Sequence, residues 1–208
     1  LNHIDPVAFY LGPLPVRWYG LMYLLGFMFA WFWGNYRAKK YALSFSKEEI
    51  SELMFYGAMG VILGGRIGYM FFYNFDALVD NPLSLFKTWE GGMSFHGGLI
   101  GVILSLWIYA RHYQKSFWAV TDFVAPLVPI GLGLGRLGNF INAELFGRVT
   151  SMPWGVIFNG ETQARHPSQL YEFLGEGVFL FILLGWYASK PRPSGRVSAL
   201  FLMAYSVI

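Results

Sequence analysis

Arg136 stands in Gly131-Leu-Gly-Leu-Gly-Arg-Leu-Gly-Asn-Phe-Ile-Asn-Ala-Glu-Leu-Phe-Gly-Arg148, a single guanidinium inside an otherwise uncharged apolar run, with Asn139, Asn142 and Glu144 directly after it. A charge at the centre of an inserted helix costs about 2.5–3.5 kcal/mol, so such a residue marks a functional site by default. Arg66, in Gly65-Arg-Ile-Gly68, is a second case. A guanidinium presents a planar fork of donors that matches phosphate oxygens, so two of them predict an anionic, phosphate-bearing guest. The alternative is that either arginine pairs with Glu144 or Glu176 and merely ties helices together. His96, in Gly91-Gly-Met-Ser-Phe-His-Gly-Gly98, can take a proton near neutral pH, and the surrounding glycines let a ligand or another backbone come close. Its bland reading is a satisfied histidine at a helix start. Glu176 lies one helical turn beyond Glu172 and either faces the same cavity or pairs with an arginine, and Asp122 is expected to cap the fourth spanning helix. There is no Gly-x-Ser-x-Gly elbow, His-Glu-x-x-His helix or Gly-x-x-x-x-Gly-Lys loop. Serine-triad hydrolysis and nucleotide-driven pumping lose support accordingly, and neither a metal nor a cofactor is expected.

Membrane helices must position these residues. Of 208 residues 55% are hydrophobic, 20% aromatic and only 13% charged, too apolar for the surface of an ordinary soluble domain. Small-residue pairs such as Gly57 and Gly60, or Gly64 and Gly68, allow helix backbones to approach closely in lipid. The chain has no cysteine, so any thiol chemistry must use a thiol from elsewhere. The net charge of +3 sits mostly in loops and reads as a topology signal, which argues against nucleic acid as a partner. A hydrocarbon core needs about 20 apolar residues as helix. Five segments qualify: 18–36, 53–73, 95–110, 123–141 and 173–188. Residues 197–208 read as the start of a sixth. The fold class is therefore an all-α, polytopic helical bundle. Leu1 is not Met, and Ile208 falls inside an apolar run begun at Val197, so both ends read as trimmed. One transmembrane domain covers 1–208, with a small outer cap at about 142–171.

Orientation follows from the loops. Arg37, Lys39, Lys40 and Lys47 occupy the first, Arg111 and Lys115 the third, and Lys190, Arg192 and Arg196 the fifth, which marks these as cytoplasmic and the N-terminus as outside. Arg66 is then about 10 Å below the outer end of its span at Tyr73. Arg136, Tyr19, His96, Asn139, Asn142 and Glu144 share that outer half, and Tyr205 lies partway up the sixth span. A polar cavity opening to the outer leaflet is expected. The aromatic residues Trp18, Trp89 and Trp154 fit interfacial belts.

The segment 135–148 resembles the signature of the prolipoprotein diacylglyceryl transferases of the bacterial inner membrane, with Ala143 and Phe146 where Gly and Trp are also familiar. Supporting it, in order, are Arg17-Trp-Tyr-Gly-Leu-Met-Tyr23, Gly64-Gly-Arg-Ile-Gly-Tyr69, Gly91 to Gly98, and Arg165-His-Pro-Ser-Gln-Leu-Tyr-Glu172. The resemblance implies an enzyme that moves the diacylglyceryl group of phosphatidylglycerol to the lipobox cysteine thiol of a prolipoprotein signal peptide, forming a thioether and releasing glycerol phosphate. It implies seven spans in the complete protein, a site facing the periplasmic leaflet, and an arginine one turn after the position of Tyr205. It supplies an anionic lipid for Arg136 and the thiol the chain lacks. On this reading His96 or Glu144 takes the thiol proton, Arg136 stabilises charge on the leaving phosphodiester oxygen, and Tyr19, Asn139 and Glu144 orient the headgroup or Arg136. Arg66, Asn142 and Tyr205 bind substrate, and Gly147 allows close lipid approach. A monomer is expected. The competing classes are a lipid-binding or flippase-type transport protein, for which the inner halves of the spans offer few polar side chains, and a scaffold for exported lipoproteins.

Overall fold

The computed structural model describes residues 4–87 and 92–208, so Trp89, Glu90 and Gly91 lie outside the described residues. It is a mostly helical chain. Among the described residues two helices are long and apolar enough to cross a membrane, Lys47–Phe72 and Ser168–Tyr187, and a bent pair, Phe117–Val124 with Val128–Ile141, makes a third if taken as one span. Large apolar side chains such as Phe72, Phe95, Ile182 and Trp186 lie exposed on these and neighbouring helices, as lipid-facing residues do. The protein is a helical membrane protein. Backbone contacts divide it into two compact units, residues 1–43 with 122–208 and residues 44–121.

The first unit opens with a feature the all-α reading did not include. Strands β1 (Val7–Leu11) and β2 (Leu14–Arg17) pair antiparallel across a turn in which Gly12 adopts φ +60°. Helix α1 (Trp18–Lys40) follows directly, and its Gly26 lies against Gly131 of α6 (Val128–Ile141). The fourth predicted span starts earlier than expected, as α5 (Phe117–Val124), and breaks before α6 with a 46° bend. Pro126 in the break and Pro129 in the first turn of α6 supply the cause, because neither can donate to the preceding turn. Arg37, only 2% exposed, donates to the carbonyl of Phe123 at the end of α5.

Helix α7 (Ser168–Glu172) runs into a π-helical segment, Phe173–Phe179, and then into α8 (Leu180–Tyr187). Gly133 of α6 and Gly177 of the π segment meet backbone to backbone: a Cβ on Gly177 would sit 2.8 Å from the Gly133 Cα. Only glycine permits that approach. Helix α9 (Arg196–Val207) closes an apolar cluster of Ala125, Leu180, Leu184 and Val197. Its start corrects the assignment of Asp122. That carboxylate accepts from the backbone N–H groups of Gly195 and Ser198 and from the Ser198 hydroxyl, so it caps α9 and not the fourth span.

The second unit is built on α2 (Lys47–Phe72) and α4 (Phe95–His112). Ser46 and Glu49 form a reciprocal capping box, which starts α2 six residues before the predicted span. Along the contact, Gly60, Gly64 and Gly68 face Gly97 and Gly101; a Cβ on Gly68 would lie 2.8 Å from the Gly97 Cα. At the basic end Tyr109 donates to the Glu49 carbonyl and Lys115 pairs with Glu49 at 3.0 Å. A short helix α3 (Phe75–Asp80) and a 3-10 turn (Pro82–Phe86) lie between α2 and α4.

Candidate active site

Arg136 lies on α6 one turn after Gly133, so the glycine contact brings it beside the helix that begins at Ser168. There it meets two carboxylates. Its Nε donates to Glu176 Oε2 at 2.9 Å and its Nη2 to Glu176 Oε1 at 3.1 Å, a fork-to-fork pair, and its Nη1 lies 3.0 Å from Glu172 Oε2. Glu176 sits in the π-helical segment, a distortion frequent at functional sites, and its side chain is 10% exposed. Tyr205 of α9 is within electrostatic reach of Arg136, and Tyr19 within reach of both Arg136 and Glu144. The Tyr19 ring is seated on Gly138, where a Cβ would come within 2.7 Å of it, and its hydroxyl lies 3.5 Å from that of Tyr23.

Glu144 occupies a separate corner and pairs with no arginine among the described residues. Its carboxylate accepts from Asn139 at 3.3 Å and from Asn142 at 3.5 Å, while its backbone N–H bonds the Asn139 carbonyl. The residues on either side, Ala143 and Leu145, both adopt φ +55°, a left-handed conformation that costs about 1–2 kcal/mol for a residue with a Cβ. The surrounding structure enforces it. Gln169, fully buried, donates to the Glu144 carbonyl, Ser168 Oγ donates to the Leu145 carbonyl, and the Gly147 N–H bonds the His166 carbonyl. Gly147 therefore faces His166, whose Cβ would be 3.0 Å from a Cβ placed there. Beyond this corner Trp154 donates to the Tyr171 hydroxyl, which lies 3.0 Å from His166 Nδ1. The buried amide oxygens Asn142 Oδ1 and Gln169 Oε1 have no hydrogen-bond donor among the described residues.

Arg66 and His96 belong to the second unit. Arg66 is 4% exposed and donates to the main-chain carbonyls of Ser84 (2.6 Å), Leu85 (3.1 Å) and Gly92 (3.4 Å). Neither glutamate considered from sequence is among these partners. The Ser94 N–H bonds the Gly65 carbonyl and Ser94 Oγ caps α4, accepting from Gly97. His96 sits in the first turn of α4, exposed, with its ring edge-on to Phe95.

The five sequence motifs thus resolve into two interlocked sets. Residues 17–23, 135–148 and 165–172 assemble around Arg136 and Glu144; residues 64–69 and 92–98 interlock around Arg66. Sequence reasoning did not place Glu172 or Gln169 among the site residues and read Glu176 blandly. The usable signal was the pair of acids one turn apart at the start of an apolar helix, which demands a cation.

Residues 6–208 match the family described as prolipoprotein diacylglyceryl transferase. The chain is 62% identical over 206 residues to the phosphatidylglycerol–prolipoprotein diacylglyceryl transferase of Legionella pneumophila subsp. pneumophila strain Philadelphia 1, covering 99% of this chain and 80% of that relative. It is 59% identical over 204 residues to the enzyme of that name from Vibrio cholerae serotype O1, strain N16961 (98% and 75%), and 58% identical over 206 residues to the one from Coxiella burnetii strain RSA 331 (99% and 79%). With residues 17–23 and 165–172 folded around its signature arginine, the chain belongs to the prolipoprotein diacylglyceryl transferase family.

Proposed function

We propose that this protein transfers the diacylglyceryl group of phosphatidylglycerol to the cysteine thiol of a prolipoprotein, releasing glycerol phosphate. The observation that carries the reading is the state of Arg136: a membrane-helix guanidinium whose hydrogen-bond and ion-pair partners among the described residues are carboxylates, which a phosphate can replace without breaking the main chain's own hydrogen bonds. In the reaction the substrate thiolate attacks the glycerol carbon, the carbon–oxygen bond to phosphate breaks, and negative charge grows on the departing glycerol phosphate. Arg136 stabilises that charge. An ordinary thiol has a pKa of about 8.5, so a base must take its proton. His96 and Glu144 are the two candidates, and H96Q and E144Q distinguish them, since loss of the base removes the alkaline-independent rate while loss of a mere neighbour does not.

Tyr19 and Tyr205 border the guanidinium and orient the headgroup. The orphan oxygens of Asn142 and Gln169 suit donors such as the hydroxyls of a glycerol headgroup. Arg66 acts at one remove, tying the turn that leads into α4 and so fixing the segment that carries His96. The chain lies in the bacterial inner membrane with its N-terminus outside, six spans begun within residues 1–208 and the site towards the periplasmic leaflet. The loop-charge asymmetry supports this orientation. The irregular segment 142–171 forms the cap of a single transmembrane domain, and the enzyme works as a monomer.

The test uses purified protein with phosphatidylglycerol and two lipobox peptides, Cys or Ser at the acceptor. Glycerol phosphate release with the Cys peptide alone supports thiol-directed transfer. Release with both marks a phospholipid hydrolase, and release with neither returns the protein to lipid binding or transport.

A further inference from the structure

One guanidinium faces two carboxylates, and the two are held differently. Glu176 grips Arg136 through both oxygens with hydrogen-bond geometry and is nearly buried. Glu172, one turn away, meets Nη1; its Oε2, itself buried, lies at 3.0 Å with no hydrogen-bond partner among the described residues, while the side chain as a whole is 36% exposed. A phosphate that takes a two-point grip on the Nη1/Nη2 end of Arg136 competes with one of them for donors. The bidentate, water-excluded pair is costly to break because it leaves a buried charge alone, whereas a half-exposed monodentate pair is worth little. Glu172 is the one that yields.

We propose that Glu176 is a positioning residue that locks the plane of the Arg136 fork, and that Glu172 is an exchangeable counter-ion occupying the phosphate's place until an anionic headgroup displaces it. This rests on the proposed role of Arg136 as phosphate ligand. Glu172 then sets headgroup affinity: it occupies Nη1 beside the Glu176 grip and competes with every lipid phosphate that enters. Glu176 sets geometry: without its two-point grip the guanidinium rotates, and the donors no longer meet the leaving oxygen.

Two readouts on the complete protein test this. The first is equilibrium binding of short-chain phosphatidylglycerol in neutral detergent, which needs no turnover. E172Q is expected to bind about 2- to 5-fold tighter, the equivalent of one half-exposed ion pair. The second is transfer to the Cys peptide. E172Q lowers KM for the lipid by a similar factor, whereas E176Q lowers kcat about 100-fold with a smaller change in KM, the signature of a misplaced catalytic group. If E172Q binds the lipid no more tightly, or more weakly, the exchange is wrong. If E176Q lowers the melting temperature while kcat per folded molecule is kept, the positioning role is wrong. Wild-type protein that binds phosphatidylglycerol more weakly than E172Q but transfers nothing contradicts the proposed activity and leaves the exchange standing.

Discussion

Arg66 and Arg136 occupy the same four-residue setting, glycine, arginine, an aliphatic residue, glycine, yet one spends its guanidinium on the main-chain carbonyls of Ser84, Leu85 and Gly92 and the other on the carboxylates of Glu172 and Glu176. On the proposed function, the difference separates a cation tied into the main chain from one free to exchange its partners. Carbonyls belong to the fold: they cannot move away when a ligand arrives without unmaking the turn that carries them. Carboxylates are on side chains that rotate, and one of the two here is weakly held. Exposure follows the same division, with Arg66 4% exposed as a residue and the Arg136 side chain at 24%.

The comparison can be broken from the Arg66 side first. R66A takes the donor from three carbonyls, two in the 82–86 turn and one at Gly92 ahead of α4, and a loss of about 3 kcal/mol is expected, read as earlier thermal unfolding in detergent. Next, G177V forces a side chain into the Gly133 contact, where even a Cβ comes within 2.8 Å of backbone. Overpacking of that kind costs about 1–3 kcal/mol, and it also parts Arg136 from Glu176, so activity per folded molecule falls with stability. Asp122 sharpens the rule. Two of its three partners are backbone N–H groups, so D122A is expected to cost about 1–2 kcal/mol of stability while leaving transfer per folded molecule unchanged. The smallest effect is at Ala143, whose left-handed φ of +55° suits glycine better: A143G should raise stability by about 0.5 kcal/mol, seen as a small upward shift in melting temperature.

These cases also separate what was legible in the sequence from what was not. Arg136 was legible because a lone charge in an apolar run is visible without any structure, and the acids at 172 and 176 were visible as a pair. Their match was not, because two arginines in identical settings, both far away along the chain, competed for them. Arg66's partners were illegible in principle, since a carbonyl carries no side-chain signature and any sequence supplies one. Helix starts followed local chemistry: α1 and α4 begin where the apolar runs begin, whereas α2 begins at the capping box of Ser46 and Glu49, outside the apolar run altogether. The π-helical segment that carries Glu176 has no residue pattern of its own and follows from packing against α6. The hairpin of 7–17 was signalled only by Gly12-Pro13 between short apolar runs.

The most direct test of the distinction replaces each arginine by glutamine in the complete protein and measures, on the same preparations, thermal unfolding and diacylglyceryl transfer from phosphatidylglycerol to a Cys lipobox peptide. R136Q is expected to unfold earlier, because Glu176 loses its buried partner, but its remaining folded fraction transfers nothing measurable. R66Q is expected to unfold earlier while its remaining folded fraction still transfers. The opposite pattern, an inactive but stable R66Q beside an R136Q that keeps its turnover, would contradict the account at its centre.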